Sequence, residues 1–357
     1  MRRLISSVVA LGLTLTACSG SAAETTTSAS STISTTTTTT TTTTALATTT
    51  TQPGDLSPVN GLPVDDPTLL DRRALAVKID NHFRARPQSG INEADMVIEV
   101  LVEGITRFIS VWHQSDSEFL GPQRSGRPTD AYLLPAFGET SFAISGAQTW
   151  VQSLIVSKGI HLIGEVKPAT FRVFGRSAPH NLYVNTILLR DYADQKGYAD
   201  TPPDGPIWRF GDLPASATPI ESVRMNFSGN VVDWTWSAED GAWLRTVGGN
   251  DSNWRDEDGT EGRIAVPVMV ALYGEAYTAS PPSGVSGKSL PSTRSIGSGK
   301  AFVFADGKVV EGTWERETES EWFTLKDDAG NFIPVPPGKI WVSLIPGNNG
   351  VTLTPAS

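Results

Sequence analysis

Three regimes of apolar patterning divide the chain. Arg2 and Arg3 precede a single apolar run from Leu4 to Leu15, shorter than the roughly 20 residues a membrane-spanning helix needs. Residues 19–57 carry few apolar side chains able to pack. Between Thr25 and Thr51, 18 of 27 residues are threonine, and Thr35 to Thr44 is unbroken. From Pro58 onward, apolar runs of strand length alternate with polar stretches and turn residues. The first run reads as an export signal over residues 1–17. The second regime, residues 18–57, cannot offset the entropy of ordering and reads as an extended tether. Only the third can build a core.

Within it, Ala74–Asp80 is a short apolar run, and Asp95–Glu103 and Ile105–Trp112 are β-rich runs parted by Gly104, which predicts a hairpin. A short helix is predicted over Asp130–Phe137, a strand over Ser141–Ser145 and a helix over Trp150–Ser157. Ile187–Lys196 has helical spacing, with Thr186 as N-cap and Gly197 as stop. Further on, strands dominate. Val231–Trp236 and Trp243–Val247 flank Glu239-Asp240-Gly241, while Ala301–Phe304 and Lys308–Glu311 flank Ala305-Asp306-Gly307, a hairpin signal. Phe332–Val335 and Lys339–Ile345 continue the pattern. The fold class read from this is α/β: an N-terminal mixed-sheet α/β domain (residues 58–200), then a smaller β-rich C-terminal domain (residues 201–357), with Thr201–Pro206 as linker.

Charge supports the division. Residues 58–197 hold 14 basic and 15 acidic residues, a net of 14 − 15 = −1, whereas residues 198–357 hold 12 and 21, a net of 12 − 21 = −9. Eight of the ten tryptophans lie in the second part, where strand positions such as Trp314 and Trp341 make them core. The overall net charge of −10 gives no general footprint for nucleic acid. A lone cysteine permits no internal disulfide and no thiolate metal site. That cysteine ends Leu15-Thr16-Ala17-Cys18, which resembles the lipobox of bacterial lipoproteins. The resemblance implies lipidation at Cys18, anchorage in the bilayer and exposure on the extracytoplasmic face, since two or three acyl chains hold a protein durably on a membrane.

Chemistry concentrates in the first domain. Asp80-Asn81-His82 is followed by Arg84, Arg86 and Gln88; Glu99 and Glu103 are four apart, on one face of a strand; Thr106-Arg107 follows; Arg124, Ser125 and Arg127 share a Gly/Pro loop; His180-Asn181 comes later. Arginines beside loop glycines suit carboxylate or phosphate. His82 or His180 suits acid–base work near neutral pH. Glu99 and Glu103 suit either ion pairs with Arg107 or a carboxylate dyad. Three readings stay open: a structural ion-pair network, an anion- or glycan-binding site using Asp80, Asn81, His82, Arg107, Arg124, Ser125, Arg127, His180 and Asn181, or catalysis by Glu103 and His180. The four histidines have no metal-ligand spacing, Ser125 is not in a nucleophile elbow, and no cofactor motif is present. The acidic stretch Asp251–Glu261 around Trp254 fails calcium-loop spacing and reads as a solvated loop.

The same segments carry a family resemblance. Asp80-Asn81-His82, Arg86–Gly90, Val102–Phe108, Gly121–Pro128 and Pro179–Tyr183, with Gly297–Phe304, Gly312–Arg316 and Pro337–Val342, resemble the YerB-like lipoprotein family over most of residues 58–346. The resemblance implies an exported lipoprotein with an N-terminal α/β and a C-terminal β-rich domain, and brings no established reaction. Two departures stand out: Gln123 and Gly126 where family members commonly have Val and Ala, and Ser145-Gly146-Ala147 in place of a Gly-Gly pair. The function expected is a binding or scaffolding role in the cell envelope toward a wall polymer or envelope protein, with no nucleic-acid partner. The alternative is an envelope hydrolase using Glu103 and His180, with arginines holding an anionic substrate.

Overall fold

The computed structural model describes residues 56–357. The expected signal, Cys18 and the Thr-rich run lie outside the described residues. The fold has begun by Ser57, which is buried and hydrogen-bonded through its N–H to the Leu62 carbonyl.

The N-terminal strands are β1 (Leu75–Ile79), β2 (Met96–Leu101), β3 (Thr106–Trp112), β4 (Ser141–Ala143) and β5 (His161–Ile163). β2 and β3 form the predicted antiparallel hairpin, β1 pairs antiparallel with β3, and β4 and β5 add in parallel. β6 (Thr170–Arg172) and β7 (Leu182–Val184) make a separate antiparallel ribbon. Three α-helices accompany them: α1 (Asp130–Leu133), α2 (Thr149–Ser157) and α3 (Thr186–Gln195). The cap of α3 is Asn185 and not Thr186: the Asn185 side chain accepts from the Leu188 N–H, while the Thr186 hydroxyl is used on Asp116 and the Ser117 N–H. An amide one residue earlier in extended backbone reaches the free N–H groups of the first turn, which a residue already inside the helix does not.

The C-terminal part opens with β8 (Thr218–Phe227), β9 (Asn230–Ser237) and β10 (Ala242–Val247), an antiparallel meander. Strands Val268–Gly274, Gly297–Ala305, Lys308–Arg316 and Ile340–Pro346 follow, and Val351–Pro355 pairs with β8. Phe332–Val335 forms no strand and makes only isolated bridges, to Lys326 and Phe210. Prolines at 334, 336 and 337 deprive that segment of ladder donors.

The two parts share one sheet. Ile340–Pro346 pairs in parallel with Val268–Gly274 on one side and with β2 on the other, so the hydrogen-bonded ladder runs without a break from β5 to β10. The α/β reading fits only in part: two domains and a mixed sheet are present, but the protein is sheet-rich, 40% strand and 12% helix. Residues 201–202 do not dangle but lie over the N-terminal part, where a Cβ on Gly138 would stand 2.5 Å from the Pro202 carbonyl oxygen. The 251–261 segment is likewise no free loop, since Asn253–Arg255 pairs with Glu261–Arg263 and the Arg255 N–H bonds the Gln88 carbonyl.

Alternation along the strands sends side chains to two cores. Met96, Ile98 and Val100 face one with α1 and α2. Val97 faces the other with Phe108, Trp341 and α3, where β8–β10 fold over the sheet and set Trp234 5.2 Å from Trp341 and Trp243 5.9 Å from Phe304. Trp314 and Trp341 are core.

Candidate functional site

Three segments meet at the C-terminal end of β1. The loop after residue 120 runs back along it: the Asp80 N–H bonds the Pro122 carbonyl and the Arg124 N–H bonds the Lys78 carbonyl. The same loop is tied to β7 by the Gln123 N–H on the Leu182 carbonyl, which carries His180 to Asp80. The Ser145 N–H bonds the Arg124 carbonyl and anchors the far side.

Asp80 is fully buried at the centre. Its Oδ1 accepts from the His82 N–H (3.0 Å), and its Oδ2 lies 2.8 Å from His180 Nδ1. With a carboxylate there, His180 Nδ1 carries the proton; in the neutral ring Nε2 is an acceptor, and on protonation it becomes a second donor. Arg124 Nε stands 3.2 Å from the same Oδ2 but is not aligned to donate, so the contact is one of charge and the buried Nε–H has no acceptor. The His82 ring stacks on His180 at 4.6 Å and touches the largely exposed Phe83. Desolvation first, and His180 second, push the His82 imidazole below its ordinary value.

Arg107, on β3, lies behind this group. It donates from Nη1 to the Ser125 carbonyl at 2.9 Å, and its buried Nε–H has no acceptor among the described residues. Burial, then repulsion from Arg127 and Arg124, brings it down to about 10. Ser125 Oγ lies 3.4 Å from Ser145 Oγ. Arg127 is spoken for: two of its nitrogens clamp Glu103 at 2.8 Å each, and Nη1 donates to the Gly126 carbonyl. Below them Lys78 and Asp130 form a fully buried pair at 2.7 Å, with burial bringing Lys78 down to about 8 against the pull of Asp130.

The structure thus brings together Asp80, His82, His180 and Arg124, with Arg107 and Ser125 beside them. Asn181 is turned away onto Arg172. Asn81 points inward, donating to Thr106 Oγ1 (2.7 Å) and accepting from Arg86 and Gln88. The Glu99–Glu103 dyad does not exist. β2 ends at Leu101, so Glu103 falls in the turn, whereas Glu99 stays buried and pairs with Arg245 of β10. The two acid–base candidates also part company, His180 being held by Asp80 and Glu103 by Arg127.

Sequence reasoning missed Arg245 and Lys78. Both are single cations inside apolar strand runs, and that placement is itself the signal of a buried partner. Gln123 adds an anomaly: it is fully buried, and neither its amide oxygen nor its nitrogen has a hydrogen-bond partner among the described residues.

Comparison with known proteins fits this architecture. Residues 59–199 match the domain described as "Protein of unknown function (DUF3048) N-terminal domain", and residues 223–342 match the corresponding C-terminal domain. The chain belongs to the YerB-like DUF3048 family. "Putative lipoprotein YerB" of Bacillus subtilis (strain 168) is 26% identical over 309 residues, 84% of this chain and 88% of that protein. The crystal structure of YerB protein from Bacillus subtilis matches with a TM-score of 0.70 at 25% identity, over 84% of this chain and 99% of that one. The DUF3048 N-terminal match contains every residue of the Asp80–His180–Arg124 group, and the C-terminal match contains Arg245.

Proposed function

We propose that this protein is a lipoprotein, anchored through acylated Cys18 to the extracytoplasmic face of the cell membrane, that binds an anionic group of the cell envelope in a binding or scaffolding role. The anchor reading rests on the Leu15–Cys18 motif and on the lipoprotein name of its Bacillus subtilis relative. The binding reading rests on one observation: Arg107 and Arg124 stand near enough to repel one another beside the Asp80–His180 pair, and each keeps a buried Nε–H without an acceptor among the described residues. A partly exposed Arg124 guanidinium beside a carboxylate-fixed imidazole suits a phosphate or carboxylate. A bound anion would offset the repulsion among Arg107, Arg124 and Arg127.

A second reading draws on the Asp80–His180 contact. A carboxylate on Nδ1 orients the ring so that Nε2 can act as acid or base on a bound ligand. Glu103, clamped by Arg127, is a poor partner for that chemistry, so the hydrolase alternative is narrowed to His180.

Two measurements test the reading. Cys18→Ser in cells is expected to move the protein out of the membrane fraction, and retention would contradict the anchor. The full chain mixed with purified wall fragments is expected to capture phosphate- or carboxylate-bearing ones. Release of a cleaved product that stops in His180→Ala, while capture persists, would favour catalysis.

A further inference from the structure

A second groove, away from the arginines, has a different chemistry. It lies between α2 and the segment that follows Val268–Gly274, with a volume of about 610 Å³, within the range of about 300–1,000 Å³ that takes small ligands. Its walls hold three aromatic rings, Tyr132, Trp150 and Tyr277, and five hydroxyl-bearing residues, Thr149, Ser153, Ser157, Thr278 and Ser280. No Asp, Glu, Lys or Arg lines it.

The rings are held before any ligand arrives. Lys158 Nζ sits 5.1 Å from the Tyr132 centroid and is itself paired with Glu319; Arg294 sits 5.1 Å from the Tyr277 centroid and is paired with Glu275 at 2.7 Å. The two walls are tied at one end by a reciprocal pair: Gln148 Nε2 donates to the Lys288 carbonyl and the Lys288 N–H donates to Gln148 Oε1 at 2.7 Å. Trp150 is 5% exposed, and its buried indole N–H has no acceptor among the described residues.

We propose that this groove is a carbohydrate-binding site for an uncharged glycan. A pyranose ring has an apolar C–H face that lies flat on an aromatic ring, and an equatorial rim of hydroxyls that exchange hydrogen bonds with serine and threonine. The walls offer those two surfaces in alternation. Ser157 Oγ already donates to the Leu154 carbonyl and Ser280 Oγ meets Ser289 Oγ, but a purely apolar occupant would still cover Thr149, Ser153 and Thr278, at a cost for each hydroxyl left unpaired. A charged ligand would find no lining countercharge, since the nearby cations Lys158 and Arg294 are already paired with Glu319 and Glu275. The groove shares no residue with the arginine site.

The test uses the full chain titrated calorimetrically with four neutral tetrasaccharides: tetra-N-acetylchitotetraose, cellotetraose, maltotetraose and mannotetraose, with tryptophan fluorescence followed in parallel. Saturable binding of at least one is expected. Tyr277→Ala weakens it about tenfold without moving the thermal midpoint, and Tyr277→Phe, which keeps the ring, restores it. Arg124→Ala leaves it unchanged, which separates this site from the anion site. Failure of all four sugars to bind, binding by Tyr277→Ala equal to that of the unaltered chain, or failure of Tyr277→Phe to restore affinity would each overturn the proposal. Loss of sugar binding in Arg124→Ala alone would also overturn it, by placing the sugar elsewhere.

Discussion

Glu99 Oε1 lies 2.8 Å from Arg245 Nη2, and both side chains are fully shut off from solvent. The pair joins the N-terminal β2 to the C-terminal β10, 146 residues apart in sequence. Thr106 Oγ1 also donates to Glu99 Oε1, and Trp341 Nε1 to Oε2, while the rings of Phe108, Trp234 and Trp341 stand 5.3, 5.8 and 5.3 Å from the guanidinium. Glu99 is thus a charge in an aromatic core, tolerable only because its oxygens are occupied.

Removing one partner leaves the other charge buried and unpaired. Glu99→Ala is expected to destabilise the protein by about 3–5 kcal/mol. The double variant Glu99→Leu with Arg245→Met should recover most of that. Urea unfolding is the measurement; a loss below about 1 kcal/mol for the single variant would mean that the pair behaves like an exposed one.

Gln123 gives a prediction of the opposite sign. Its buried amide is unpaired, and such a group costs about 1–3 kcal/mol. Gln123→Leu keeps the volume and removes the polar atoms, so it should raise stability by about 1 kcal/mol. A fall in the unfolding midpoint would show that the amide is satisfied in solution.

Acid sensitivity should come from His113. Burial first, then Arg190 and Arg72, bring it down to about 4, while its Nε2 bonds the Arg72 carbonyl. The unfolded ring titrates near 6.5, so between pH 6.5 and 4 the unfolded state binds the extra proton. The stability this contributes is full above about pH 6.5 and is lost as pH falls toward 4, by about 3 kcal/mol in all. His113→Gln should flatten the stability profile across that window, and an unchanged slope would contradict the assignment.

The hairpin at residues 306–307 tests the backbone. Asp306 and Gly307 have φ of +50° and +67°, and a Cβ on Gly307 would stand 2.8 Å from Trp236 Cδ1. Gly307→Ala adds left-handed strain to a clash and should cost about 1–3 kcal/mol, read as a lower urea midpoint. A neutral result would show that Trp236 moves aside freely.

That hairpin was legible in the sequence because Ala305-Asp306-Gly307 carries its own turn chemistry between apolar runs. The β2–β3 hairpin was legible for the same reason, through Gly104. What stayed hidden was long-range. Nothing local in Lys339–Ile345 says that it will pair in parallel with β2, so the sheet that runs through both domains was not foreseen. Glu99 and Glu103 looked like a dyad because spacing fixes a face only while the strand lasts, and β2 ends between them. In the candidate site, the residue types of Asp80, His82, Arg107, Arg124 and His180 were recognisable, but their convergence depends on the 121–124 loop binding both β1 and β7. Asn181 was grouped with His180 by adjacency alone, and the two side chains part.

The central claim is that Arg107 and Arg124, with His180, bind an anionic envelope group. Its most direct test is calorimetric titration of the full chain with a glycerol-phosphate oligomer and with a muropeptide bearing free carboxylates, repeated with Arg124→Ala and Arg124→Lys at low and raised salt. At least one probe is expected to bind, with affinity falling as salt rises and Arg124→Ala weakening it about tenfold or more with the thermal midpoint held, Arg124→Lys lying between. Absence of binding by either probe, or equal affinity in Arg124→Ala, would contradict it.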